Sequence, residues 1–154
     1  MKPLKSIFFG LLFFLSATLS AQNIYIYPEQ PLQFGAFTVA AAGGTVTVSA
    51  AGERTSSGTI QLLNSEHHPA VFTISTDHPT PIEVIVEVSR EPLINSDGTA
   101  MLMASISPAE ETYILQAGKP VQVKVGATIQ LNSGANSAGE FQGNVSINVI
   151  PNSE

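Results

Sequence analysis

The chain has 154 residues, no cysteine, no tryptophan, six basic and twelve acidic residues, and a net charge of −6 at neutral pH. Without cysteine there is no disulfide framework, and the acidic balance excludes the basic patches that nucleic acid or anionic lipid would require. The length suits one domain with a core large enough to stand by packing alone.

In chain order, the first segment opens Met1-Lys2-Pro3-Leu4-Lys5-Ser6, continues as an apolar run from Ile7, and ends in small residues at Ser20-Ala21. A basic start, a short apolar run and a small-residue end are the three parts of a secretory signal peptide. The run falls short of the roughly 20 residues of a membrane span, so export without later membrane insertion is expected. No cysteine follows to carry a lipoprotein's lipid. Cleavage after Ala21 removes Lys2 and Lys5, leaving four basic against twelve acidic residues, a net charge of −8. The expected organisation is a signal peptide at 1–21, an extended segment at 22–31, a β-sandwich at 32–150 and a tail at 151–154.

The extended segment carries Asn23-Ile24-Tyr25-Ile26-Tyr27, which alternates strictly and is set off by Pro28 and Pro31. Two uses fit it. A mobile strand of this kind docks by main-chain hydrogen bonds into an open sheet edge of another subunit, its alternate side chains filling pockets. The commoner use of a terminal strand is to tie down its own domain. Ile24, Tyr25, Ile26 and Tyr27 are therefore the candidate strand-exchange residues.

From residue 32 the apolar residues keep the two-residue period of half-buried strands. Leu32 and Phe34 lie on one parity, Phe37 and Val39 on the other, so a bulge at Gly35-Ala36 would bring all four inward. Val46 and Val48 alternate with Thr45, Thr47 and Ser49. Ile60 and Leu62 flank Gln61. Ala70, Phe72 and Ile74 share a face. Ile82, Val84, Val86 and Val88 form the longest inward row, with Glu83, Ile85 and Glu87 opposite. Residues 100–106 are apolar on both parities, as a covered or central strand would be. Val121, Val123 and Val125, then Ile129 and Leu131, continue the pattern. The closing row sets Phe141, Val145, Ile147 and Val149 against Gln142, Asn144, Ser146 and Asn148. Turn chemistry separates these runs at Gly43-Gly44, Gly52, His78-Pro79-Thr80-Pro81, Asp97-Gly98, Gly118, Gly126 and residues 132–139. The reading is all-β: an immunoglobulin-like or pilin-like sandwich of about eight to ten antiparallel strands.

Chemistry-bearing residues are few. Glu66-His67-His68 with Asp77-His78 is the one group with metal-ligand character, but adjacent histidines on an extended chain point to opposite sides. A polar turn before Pro69 is the simpler account. There is no Gly-x-Ser-x-Gly elbow and no phosphate-cradling loop leading into a helix. Glu110-Glu111 and Glu83/Glu87 read as surface charge. No catalytic residue, cofactor or metal is expected, and the chain reads as non-enzymatic. Tyr25 and Tyr27 share a face and Tyr113 stands alone, a thin aromatic supply for a sugar site.

Two sets of residues carry a family resemblance. Leu32-Gln33-Phe34-Gly35, Gly44-Thr45-Val46-Thr47-Val48 and Gly52-Glu53-Arg54-Thr55 with Gly58 form the first. The second is Ala138-Gly139-Glu140-Phe141-Gln142-Gly143-Asn144-Val145-Ser146-Ile147-Asn148-Val149. In order and spacing they resemble the secreted bacterial domain-of-unknown-function family 4402. The resemblance implies an exported β-sandwich of Gram-negative bacteria, in the periplasm or at the cell surface, sharing features with major subunits of common-pilus-type fimbriae. It supplies no catalytic residues. An aromatic often closes that family's last strand, whereas Ile150-Pro151-Asn152 follows here. The functional expectation is a structural or adhesive surface subunit that meets copies of itself or fimbrial-type subunits. The alternative is a monomeric periplasmic or secreted module that binds glycan or an envelope protein.

Overall fold

In the computed structural model, which describes residues 23–98, 100–132 and 140–152, the alternating runs become eleven β-strands and no helix. They are β1 Ile24–Gln30, β2 Phe37–Val48, β3 Arg54–Leu62, β4 Ala70–Thr76, β5 Ile82–Arg90, β6 Leu93–Asn95, β7 Ala100–Ser107, β8 Glu110–Leu115, β9 Val121–Leu131, β10 Phe141–Gln142 and β11 Val145–Pro151. The count exceeds eight to ten because two of the segments are only three and two residues long. The signal-peptide segment and most of the turn expected at residues 132–139 lie outside the described residues.

The spine is β9. Val121, Val123, Val125, Ala127, Ile129 and Leu131 all share one parity and face inward, five of them buried. Its first half pairs with β4, and its second half lies between β2 and β7. Gly126, expected to break the chain into two strands, is instead the point where β9 changes neighbours. The end of β2 crosses so closely there that a Cβ would sit 2.5 Å from Val48 O and Ala50 N. The residue must be small for close approach, not for a turn. The sheet extends from β4 to β1, from β2 to β3, and from β7 through β6 to β10, always antiparallel.

A second sheet, in the order β11-β5-β8, covers part of the first. Val84, Val86 and Leu115 from this sheet pack with Phe72, Ile74, Val123 and Val125 of the larger one. Another apolar cluster joins Val46, Val48, Ala127, Ile129 and Leu131 to Phe34 and Leu93. Leu32, Ile106 and Val145 touch both clusters and make them one interior. The result is a β-sandwich, as the period-two pattern requires.

The closing row reads as one strand but forms two. β10 stays with β6 in the large sheet, while β11 crosses to β5 in the small one. Gly143-Asn144 makes the step, and Glu91 N donates to Asn144 O at 3.0 Å to fix it. Because Phe141, Val145, Ile147 and Val149 keep one parity throughout, sequence period alone does not reveal the crossing.

The parity break at Gly35-Ala36 acts as expected: Phe34 is buried, and Leu32, Phe37 and Val39 pack partly buried on the same cluster. The link is a glycine kink between an isolated bridge and β2, not a bulge inside a paired ladder. Gly35 has φ +70°, and a Cβ there would lie 2.6 Å from Ser65 Oγ and 2.7 Å from Glu66 O. Only glycine fits that kink.

Candidate functional site

The kink forms one wall of a groove. Residues 28–41 run along one side and residues 140–145 along the other, enclosing about 1380 Å³. Phe34, Phe72, Leu93 and Ile129 line it, so the groove reaches the sandwich interior. It is larger than the roughly 300–1,000 Å³ of small-molecule sites. One end of β11 is at its rim, and among the described residues β11 has a ladder partner on one side only.

Arg54 braces the first wall. Its Nη1 donates to Leu63 O at 3.0 Å and Ser65 Oγ at 3.4 Å, and its Nη2 donates to Ala36 O at 2.5 Å. Ser65 Oγ in turn accepts from Ala36 N at 2.7 Å. Desolvation lowers the Arg54 pKa, and its Nε is buried without a partner. Two motifs that looked separate in sequence, Leu32-Gln33-Phe34-Gly35 and Gly52-Glu53-Arg54-Thr55, thus meet through one guanidinium.

His68 braces the same segment from below. Gln33 and His68 exchange both backbone hydrogen bonds, at 2.9 and 3.0 Å. The His68 ring donates from Nδ1 to Pro31 O at 2.8 Å; a carbonyl only accepts, so that nitrogen carries the proton. His67 donates in the same way to Ser65 O at 3.1 Å, and His78 to Thr80 O at 3.0 Å. Each imidazole is occupied by nearby backbone. Among the described residues no three His, Asp or Glu side chains gather where they could hold a metal ion.

Ile24, Tyr25, Ile26 and Tyr27 lie in β1, the edge strand beside β4. They pair with Thr76, Ser75, Ile74 and Thr73. Ile24 packs half-buried against the core. Tyr25, Ile26 and Tyr27 are 41%, 40% and 55% exposed, so the strand shows apolar surface on both faces. Asp77 accepts hydrogen bonds from Asn23 and from the Tyr25 hydroxyl, both at 3.1 Å. The bond from Asn23, chiefly, holds the Asp77 carboxyl below its usual range, while the same carboxylate raises the Tyr25 pKa.

Tyr113, the third tyrosine, is half-buried against the small sheet's core. Its hydroxyl donates to Glu111 Oε2 at 2.6 Å, and burial followed by that bond raises its pKa. Glu83 takes the Asn152 side-chain amide. The groove was the feature sequence reading missed, since its walls, residues 28–41 and 140–145, are far apart in the chain. The parity break at Gly35 was its one local sign.

Among the described residues no helix is long and apolar enough to cross a membrane. A family model described as Domain of unknown function (DUF4402) matches residues 24–150, a span that includes β1, both walls of the groove and both motif sets. A comparison with curated proteins returns no match.

Proposed function

The chain belongs to that family, and from this premise we propose that it is a non-enzymatic exported subunit of a fimbrial-type surface assembly, structural or adhesive. In this reading the segment 1–21 directs it to the periplasm or cell surface of a Gram-negative bacterium, and copies join by exchanging the strand Ile24–Tyr27. The observation that carries the proposal is the open apolar groove. Its lining of Phe34, Phe72, Leu93 and Ile129 suits alternate apolar side chains, and the unpaired edge of β11 suits main-chain hydrogen bonds. Ile24 and Ile26 share one parity and can enter together, which would bury the Ile26 surface that the single chain leaves exposed. A subunit that gives its strand to the next makes a head-to-tail contact, and such contacts extend into filaments.

Deleting residues 22–29 tests this. The domain should stay folded, because β1 adds little to the core, and it should no longer form detergent-resistant, heat-labile oligomers. A wild-type protein that stays strictly monomeric in the envelope of its own cells sinks the proposal.

A second reading is a monomeric binding module for glycan or an envelope protein. The pairing of β1 with its own β4 over six residue pairs favours it. In that case the same deletion unfolds the domain.

A further inference from the structure

Side-chain burial does little to hold β1 in place. Ile24 and Gln30 are half-buried and the five residues between them are exposed. Pro28 brings no N–H to the ladder, and the register slips between Pro28 and Gln30. What secures the two ends is polar: Thr76 Oγ1 donates to Asn23 O at 2.9 Å and Gln30 Nε2 donates to Pro69 O at 2.8 Å, both part-buried, and two carboxylates add ties at the surface. At the start, Asp77 Oδ2 accepts from Asn23 Nδ2 and the Tyr25 hydroxyl. At the far end, Glu29 reaches across two strands: the Thr73 hydroxyl of β4 donates to Oε1 at 2.5 Å, and Gln122 Nε2 of β9 donates to Oε2 at 3.2 Å.

Hydrogen bonds to a carboxylate are stronger than neutral ones, yet all four lie at the surface, where water can replace each partner at little cost. That makes a hold that is firm in total and easily undone. The middle of the strand, Ile26 and Tyr27, has no such tie.

Resting on the strand-exchange reading above, we propose that the Asp77 and Glu29 clasps are an autoinhibitory contact. They keep β1 on its own sheet and set how readily it leaves for a second copy of the chain. A free monomer would thus avoid premature polymerisation without burying its exchange strand.

The test compares the mature protein with the double variant Asp77→Ala/Glu29→Ala by backbone amide hydrogen exchange and by solution mass. The β1 amides should exchange at least tenfold faster while those of β9 stay protected, and the oligomeric fraction should rise. Unchanged β1 exchange overturns the clasp. Faster β1 exchange in a protein that stays monomeric overturns the strand-exchange reading beneath it. If the alanine variant fails to fold, Asp77→Asn/Glu29→Gln removes the charge with little change of shape and is read by the same two measurements.

Discussion

Ile114 and Leu115 are neighbours in β8 with opposite fates, and exchanging each for alanine tests the sandwich directly. Ile114 is 61% exposed on the outer face of the small sheet, while Leu115 is 0% exposed in the core. Truncating a fully buried leucine costs the lost transfer energy plus the cavity left behind, about 2–5 kcal/mol. Leu115 packs among buried side chains of both sheets, so a value of about 3 kcal/mol or more is expected. For a domain of this size that lowers Tm by roughly 10 °C. Ile114→Ala removes surface that water already reaches and should change stability by no more than about 0.5 kcal/mol. Urea unfolding followed by circular dichroism gives both values, with the slope of the transition checking that the unfolded states match. Equal losses at the two positions, or a larger one at Ile114, would refute the parity on which the two-sheet assignment rests.

Other consequences follow from the groove wall and from β1. Gly35→Ala places a Cβ at φ +70° and 2.6 Å from Ser65 Oγ; thermal unfolding should show a loss of at least about 1–2 kcal/mol. Arg54→Ala strips three donated bonds from the loop but leaves the carbonyls open to water, so about 2 kcal/mol is expected. Arg54→Lys should recover only part of it, because an ammonium cannot span the same acceptors. The Asp77 clasp is pH-dependent. Its carboxyl pKa is depressed, so its contribution is present above the ordinary carboxylate value and is lost as pH falls through the depressed one. Tyr25 from β1 and the adjacent His78 are the titratable groups acting on it. The Tyr25 pKa is raised, so its side of the clasp is complete below the usual tyrosine value of 10.0 and is lost as pH rises through the raised one. NMR signals of Asn23 and Tyr25 should therefore shift together only below about pH 4 and again well into the alkaline range. In His78→Gln, where no imidazole stands beside Asp77, a joint transition near neutrality would contradict the clasp.

The inward rows were legible because burial on a sheet face imposes a strict two-residue period. Val84, Val86, Ile129 and Leu131 are buried where that period puts them. The same rule hides what does not alter parity. β9 runs unbroken through Gly126, and β10 and β11 belong to different sheets, yet the apolar residues of each region keep one parity throughout. Period also says which residues share a face, not whether another layer covers it. Ile26 alternates as a buried residue would, but it stands on an edge strand outside the core cluster and stays 40% exposed. The groove was hidden for a related reason: its first wall is held in place by Arg54 and His68 through backbone carbonyls, which no side-chain pattern encodes.

The central functional claim is that β1 leaves its own sheet to join copies, and a reversible lock tests it most directly. Tyr25 and Ser75 are directly opposed in the antiparallel ladder, within the Cα separation a disulfide accepts. The chain has no cysteine of its own to interfere. The solution mass of Tyr25→Cys/Ser75→Cys, isolated from the envelope of the cells that make it, should be that of a monomer when oxidised and that of oligomers after reduction. Oligomers that persist with β1 locked to β4, or a monomer in both states, would contradict the claim.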